Sequence, residues 1–111
     1  MLRYSIHLAA VAYLDNDHYK VRPFVVLTEP AGAYQTVLVT PIYSQQLSDQ
    51  LDSDILVIEN FSDYGLVRPS AIRLHRITEL PLTDLKEQLG TIPASDKGKL
   101  QTGLKSAFRL I

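Results

Sequence analysis

The chain has 111 residues, 46% of them hydrophobic and 21% charged, and carries a formal net charge of -1. This composition fits one globular domain with a real core and excludes intrinsic disorder. The balanced charge excludes a general attraction for nucleic acid or anionic membrane, and the lack of cysteine excludes disulfides, thiolate metal sites and cysteine nucleophiles.

Near the N-terminus, Arg3 precedes the small apolar run Leu8-Ala9-Ala10-Val11-Ala12. The run faintly resembles a signal peptide, but it is short, is preceded by His7 and is followed at once by Asp15, Asn16 and Asp17, so a signal is not the expected reading. No apolar stretch approaches the ~20 residues of a membrane helix, so no membrane association is expected and the expected location is the cytoplasm. Ile6 to Leu14 reads as a strand, Asp15-Asn16-Asp17-His18 as a turn, and Tyr19 to Thr28 as the returning arm of a hairpin. Within that arm stands Val21-Arg22-Pro23-Phe24-Val25-Val26-Leu27, a cation and a proline ahead of an unbroken apolar run. Phe24 to Leu27 has the pattern of a strand buried on both sides.

Glu29-Pro30-Ala31-Gly32 is a second turn, and Tyr34 to Tyr43 a third strand rich in Val, Thr and Tyr. Ser44 to Ser53 has no strand pattern and reads as a solvated loop, its acidic residues Asp49 and Asp52, with Asp54 beyond, lacking metal-ligand spacing. Asp54 to Ile58 is a fourth strand, Asn60 to Gly65 is irregular, and Pro69-Ser70 opens a fifth strand through Leu74 with a possible extension to Thr78. The period then changes. Leu82, Leu85 and Leu89 have helical spacing, with Thr83 as N-cap and Gly90 as the stop. Pro93-Ala94-Ser95-Asp96 starts a second helix, whose stripe is Leu100, Leu104, Ala107, Phe108 and Ile111 and whose Gly98 and Gly103 each cost about 1 kcal/mol relative to alanine. The predicted fold class is α+β: a small antiparallel SH3-like β-barrel with C-terminal helices.

Arg22-Pro23-Phe24-Val25-Val26-Leu27 resembles the MazF/PemK family of toxins from bacterial toxin–antitoxin pairs. Val37-Leu38-Val39-Thr40-Pro41-Ile42-Tyr43-Ser44-Gln45 is similar to the family's segment of a hydrophobic strand, proline and hydroxyl residues. Gly65-Leu66 with Pro69-Ser70, and the Leu89-Gly90-Thr91-Ile92-Pro93 step into a closing helix, continue the resemblance in the same order over residues 7 to 110. The resemblance implies a MazF/CcdB-like barrel, usually a homodimer, that cleaves single-stranded RNA without metal or other cofactor and is neutralised by an antitoxin peptide.

That chemistry suits the residue types. RNA carries its own nucleophile, the 2′-hydroxyl, so an enzyme must only move protons and stabilise the charge building on the phosphate. A guanidinium stays charged at any working pH, and its planar fork matches phosphate oxygens. Arg22 is the candidate for that role; the alternative is a rim arginine paired with Asp15 or Asp17 across the hairpin. Where the family pattern has a threonine beside the catalytic arginine, this chain has Tyr43, followed by Ser44, and either hydroxyl is a candidate partner. Strand alternation sends these two side chains to opposite faces, and Tyr43 reads equally well as a half-buried rim aromatic. The family's Gly-Asp at the first strand is also replaced, by Ile6-His7-Leu8-Ala9.

Lys20, Arg22, Arg68, Arg73, His75 and Arg76, with Tyr19, Tyr43 and Tyr64, are candidates for an RNA surface if the barrel brings strands two and five together. The alternative is a solvated strand face, Arg73 and His75 alternating with Ile72 and Leu74. His75 has a reference pKa suited to a general base, although an isolated histidine more often has no catalytic part. A rival reading is a non-enzymatic binder on the same barrel, such as the gyrase poison CcdB. The absence of tryptophan and the tail Phe108-Arg109-Leu110-Ile111 do not fit that gyrase-directed version.

Overall fold

A computed structural model describes residues 1–12, 19–43 and 55–108. Strands β1 (Ser5–Ala12) and β2 (Tyr19–Val26) pair antiparallel, from Ile6 opposite Val25 to Ala12 opposite Tyr19. The predicted hairpin is therefore present, while its tip lies outside the described residues. β3 (Thr36–Tyr43) follows a turn in which Gly32 has φ +79° and Gln35 φ +49°. β4 (Ile55–Ile58), β5 (Ser70–Arg73), β6 (Thr78–Pro81) and β7 (Gln88–Thr91) complete a curled antiparallel sheet in the order β4-β5-β3-β2-β1-β7, with β6 on β3.

The reading of β2 as buried on both sides holds, with Phe24, Val25 and Val26 only 3%, 0% and 0% exposed. Phe24 and Val26 pack with Ala9, Val37, Val39 and Leu80 on one face, whereas Val25 joins Ile6, Ile42, Ile58, Ile72, Leu74, Ile92 and Leu100 on the other.

Two prolines mark changes of partner. Pro23 lies opposite Leu8, whose N–H and carbonyl both bond outward to Glu87 and Lys86, so this is a non-hydrogen-bonded pair of the hairpin. Pairing with β3 begins only at the next residue, Phe24 opposite Pro41. A proline therefore removes no donor that either ladder uses. Pro41 falls where β3 exchanges one neighbour for another: Thr36 to Val39 pair with β6, and Ile42 and Tyr43 with β5. At that junction the Thr40 hydroxyl donates to the carbonyl of Arg73, so a side chain links the strands where the ladder is interrupted.

The helix expected from Leu82 to Leu89 does not form, and the fifth strand does not run on to Thr78. A turn, with the Arg76 N–H donating to the Arg73 carbonyl at 3.3 Å, separates β5 from β6. Leu82–Asp84 is one 3₁₀ turn capped by no Thr83 side chain, and Leu85 is already extended at φ -73°, ψ 130°. The free edge of β1 takes the segment instead. Lys86 N–H donates to the Leu8 carbonyl at 2.7 Å, and Leu8 N–H donates to the Glu87 carbonyl at 2.9 Å. His7, almost buried, adds an Nδ1–H donation to the Lys86 carbonyl at 3.0 Å. Eight residues are marginal as an isolated helix, and sheet pairing outcompetes them. Gly90 is thus no helix stop but a close-packing residue: a Cβ there would lie 2.5 Å from the Tyr64 carbonyl oxygen.

Among the described residues one C-terminal helix is present, α1 (Lys97–Ala107), in place of the expected plural. Leu100 is fully buried, and Leu104 and Ala107 pack on the same core, as their spacing predicts; Ile111 lies outside the described residues. No helix among the described residues is long and apolar enough to cross a membrane.

Asp96 ties the start of α1 to the Phe61–Tyr64 turn. Its carboxylate accepts from Asn60 Nδ2 at 3.1 Å and from the Tyr64 hydroxyl at 2.8 Å, with Lys99 Nζ at 3.8 Å. These donors, Asn60 first, hold its carboxyl below the ordinary 3.8, while burial and the bond to Asp96 push the Tyr64 phenol up from 10.0. Glu29 is also held below its ordinary 4.5, by the backbone N–H groups of Leu2 and Arg3. Groups with depressed folded-state values stabilise the fold above their unfolded values and lose that contribution as pH falls through the folded ones. Stability followed by circular dichroism should therefore decline below about pH 4, with a shallower decline in Asp96→Asn. Parallel acid profiles for the two proteins would refute this role.

Candidate active site

Arg22 lies on β2 opposite Ala9 of β1, between exposed Val21 and the buried run that begins at Phe24. The β2–β3 register runs from Val26 opposite Val39 to Phe24 opposite Pro41, and two residues further it sets Arg22 across from Tyr43. The side chains meet: the Arg22 guanidinium carbon lies 4.3 Å from the centroid of the Tyr43 ring. On the other edge of β3, Tyr43 pairs with Ala71 of β5, and the guanidinium carbon of Arg73 lies 5.6 Å from the same centroid. Strand alternation places Arg22, Tyr43 and Arg73 on one face, as continuations of the rows Phe24–Val26, Val37–Val39–Pro41 and Ala71. All three side chains are half-buried, and the Nε atoms of both arginines are shielded from solvent. A guanidinium over an aromatic face contributes about 0.5–2 kcal/mol, towards the upper end when desolvated.

Arg22 also opens onto a cleft of about 220 Å³, lined by Val21, Pro23 and Ile42 on one side and by Leu66, Val67, Arg68 and Ser70 on the other. The Ser70 hydroxyl is buried and donates to the Arg68 carbonyl at 2.9 Å, bracing the loop that presents Arg68. Val21 and Val67, 57% and 82% exposed, form an apolar rim beside the two cations. The site therefore combines fixed positive charge with a small open hollow, which fits an anion carrying an apolar or planar group.

The expected meeting of strands two and five is found: both flank β3 at its C-terminal end. Of the sequence-derived candidates, Arg22, Tyr43 and Arg73 form one cluster, with Arg68 joined to Arg22 through the cleft. Lys20 lies two residues before Arg22 on β2, opposite Val11. His75 lies elsewhere, against the last turn of α1, with its Nε2–H donating to the Ala107 carbonyl at 2.6 Å and its ring edge-on to Phe108. Arg76 follows it in the exposed turn after β5. Tyr64 offers no stacking surface, being 2% exposed with its hydroxyl committed to Asp96, so its place in the aromatic set is withdrawn. Ser44, the loop acids and the hairpin acids Asp15 and Asp17 lie outside the described residues. Sequence reasoning missed the Val21–Val67 rim and the sharing of one ring by two arginines. The parity of Tyr43, Ala71 and Arg73 carried the second signal, readable only once β5 is known to pair with β3.

None of the curated protein sequences matches the chain significantly. Among solved structures it is similar to the Mycobacterium tuberculosis toxin MazF-mt6, with a TM-score of 0.75 and 25% identity over 96% of this chain and 98% of that one. It shares its fold with an endoribonuclease bound to its cognate antitoxin from a mycobacterial species, at a TM-score of 0.73 and 16% identity over 100% and 97% of the two chains. It likewise shares the fold of the Deinococcus radiodurans MazE–MazF complex, at a TM-score of 0.71 and 15% identity over 97% and 95%. The family model for PemK-like, MazF-like toxins of type II toxin–antitoxin systems matches residues 2–108, and the chain belongs to that family.

Proposed function

We propose that the chain is a metal-independent endoribonuclease that cleaves single-stranded RNA at a phosphodiester bound beside Arg22. The observation carrying this reading is that one guanidinium both lies over the Tyr43 ring and lines an open cleft of about 220 Å³. In the reaction the ribose 2′-oxygen attacks phosphorus, the bond from phosphorus to the 5′-oxygen breaks, and the products are a 2′,3′-cyclic phosphate and a 5′-hydroxyl. The 2′-hydroxyl gives up a proton, and the leaving oxygen takes one. Arg22 stabilises the negative charge that gathers on the phosphate oxygens between these events and is a candidate donor to the leaving oxygen. The hydroxyl that joins it comes from Tyr43 or Ser44. Arg68, Arg73 and Lys20 hold the flanking backbone, with Arg76 in the turn after β5 as an outlying contact. The nucleophile is internal to the substrate, so no metal is assigned a step.

In keeping with the family, we also assign the chain a cognate antitoxin peptide and a homodimeric state. Purified protein incubated with mixed RNA in excess EDTA should fragment it as fast as without chelator. Loss of cleavage on chelation, or intact RNA in both samples, would overturn the reading; in the second case a non-catalytic binder remains.

A further inference from the structure

The cleft beside Arg22 is built mostly from aliphatic side chains. By strand alternation Val21 and Pro23 continue the row of buried Val25 on β2, whereas Arg22 belongs to the other row with Phe24 and Val26. Ile42 and Leu66, both nearly buried, are members of the same core cluster as Val25, so the cleft is where that core reaches the surface. Val67 completes the facing wall. A flat ring between the walls would cover Val21 and Val67, which otherwise stand in water.

We propose that this cleft is a subsite for one unpaired nucleobase of the RNA, and that Ser70 makes it favour a base with an exocyclic amino group over uracil. The identity of the polymer rests on the RNA-cleaving reading above. Three features carry the assignment. The first is size: an apolar cavity of about 150 Å³ admits a benzene ring. At about 220 Å³ and open to solvent, the cleft has room for a pyrimidine ring and its substituents. The second is charge. Arg22 and Arg68 stand on opposite walls, and none of the described residues lining the cleft is acidic, so a polyanionic strand is attracted to both sides of an inserted base.

The third is the state of the Ser70 hydroxyl. Ser70 opens β5 opposite Ile58, is almost fully buried, and commits its hydroxyl proton to the Arg68 carbonyl at 2.9 Å. A serine oxygen that has given its one proton keeps only lone pairs to offer. The exocyclic amino group of cytosine or adenine can donate to it. Uracil carries a carbonyl oxygen in place of that amino group, and its ring N–H stands between two carbonyls. An aliphatic anchor from a peptide would fill the walls but has no donor for the serine, which favours the base.

The probes are 2′-O-methyl hexamers of cytidine and of uridine, which cannot be cleaved and differ only in the base. The wild-type protein should bind the cytidine hexamer at least about fivefold more tightly, the equivalent of one net hydrogen bond. Ser70→Ala should bring the two affinities together, chiefly by weakening the cytidine hexamer. Equal affinities in the wild type, or an unchanged preference in Ser70→Ala, would overturn the role of Ser70. Val67→Asp alters an exposed wall without repacking the core and should weaken both hexamers several-fold; unchanged binding would remove the wall from the subsite.

The methyl resonances of Val21, Ile42, Leu66 and Val67 give a readout that needs no variant. Ring currents from the cytidine hexamer should shift them. If neither hexamer moves them, the cleft serves another class of ligand, a peptide segment included, and the subsite falls. Methyl shifts and a cytidine preference in a protein that leaves ordinary RNA intact would end the ribonuclease reading while the subsite stands.

Discussion

Arg22→Ala should lower the rate of RNA cleavage by at least about a hundredfold, the loss typical when a preorganised donor to a developing oxyanion is removed. The substitution removes the cation that, among the described residues, both stacks on Tyr43 and lines the cleft, so charge stabilisation and substrate alignment disappear together. Arg22→Lys should recover little. An ammonium keeps the charge, but it has neither the planar fork that meets two phosphate oxygens nor the flat surface that lies on the ring. Neither change touches the buried sheet, whose nearest fully packed residues on β2 are Phe24, Val25 and Val26. Melting temperatures should therefore shift by only a few degrees, about what removal of one cation–π interaction produces. Steady-state cleavage of a fluorogenic RNA at matched concentrations of folded protein makes the comparison. Alanine and wild-type proteins of equal rate would remove Arg22 from the mechanism.

The largest effect on stability is expected at the turn that leads into the Leu66–Arg68 wall of the cleft. Gly65 has φ +79°, and a Cβ there would run into the carbonyl of Leu89, while Gly90 approaches Tyr64 from the other side. The two glycines let the turn after Phe61–Tyr64 pass directly over β7, with no side chain between the backbones. Gly65→Ala adds a left-handed penalty of about 1–2 kcal/mol to a backbone collision that no rotamer change relieves, worth about 1–3 kcal/mol more. The sum lowers the melting temperature by roughly 10–20 °C for a domain of this size. Gly32→Ala is the control. Its φ is the same +79°, but nothing lies within 4 Å of the added carbon, so only the conformational penalty remains. Equal losses for the two variants in a calorimetric comparison would mean that the collision is relieved by backbone movement.

What could be read from residues alone was the pattern that burial imposes. The unbroken Phe24-Val25-Val26 run declared a strand covered on both faces, and the Leu100–Leu104–Ala107 stripe declared a helix with one buried side. Both are properties of local period, and both are found. Leu82, Leu85 and Leu89 also had helical period, yet the segment is extended because the edge of β1 needed a partner. Sequence spacing does not report an unpaired edge eighty residues earlier. The candidate site was legible to the same degree. Arg22 stood out because a permanent charge precedes a buried strand. Its neighbour Tyr43 was noticed as a departure, but as a displaced hydroxyl, since the second arginine on its ring arrives from a strand whose pairing is non-local. His75 misled for a related reason: its alternation with Leu74 suggested a strand face, whereas β5 has already ended and the ring turns to the end of α1.

The central claim is that this chain breaks RNA by turning the substrate's own 2′-oxygen on the adjacent phosphorus under the charge of Arg22. The chemical ends of the fragments test it most directly. RNA treated with the purified protein in EDTA should yield fragments bearing a 5′-hydroxyl and a 2′,3′-cyclic phosphate, resolved by mass spectrometry, and a single 2′-O-methyl group at the scissile nucleotide should block that cut. Fragments with 5′-phosphate and 3′-hydroxyl ends, or cleavage indifferent to the 2′-O-methyl group, would contradict it.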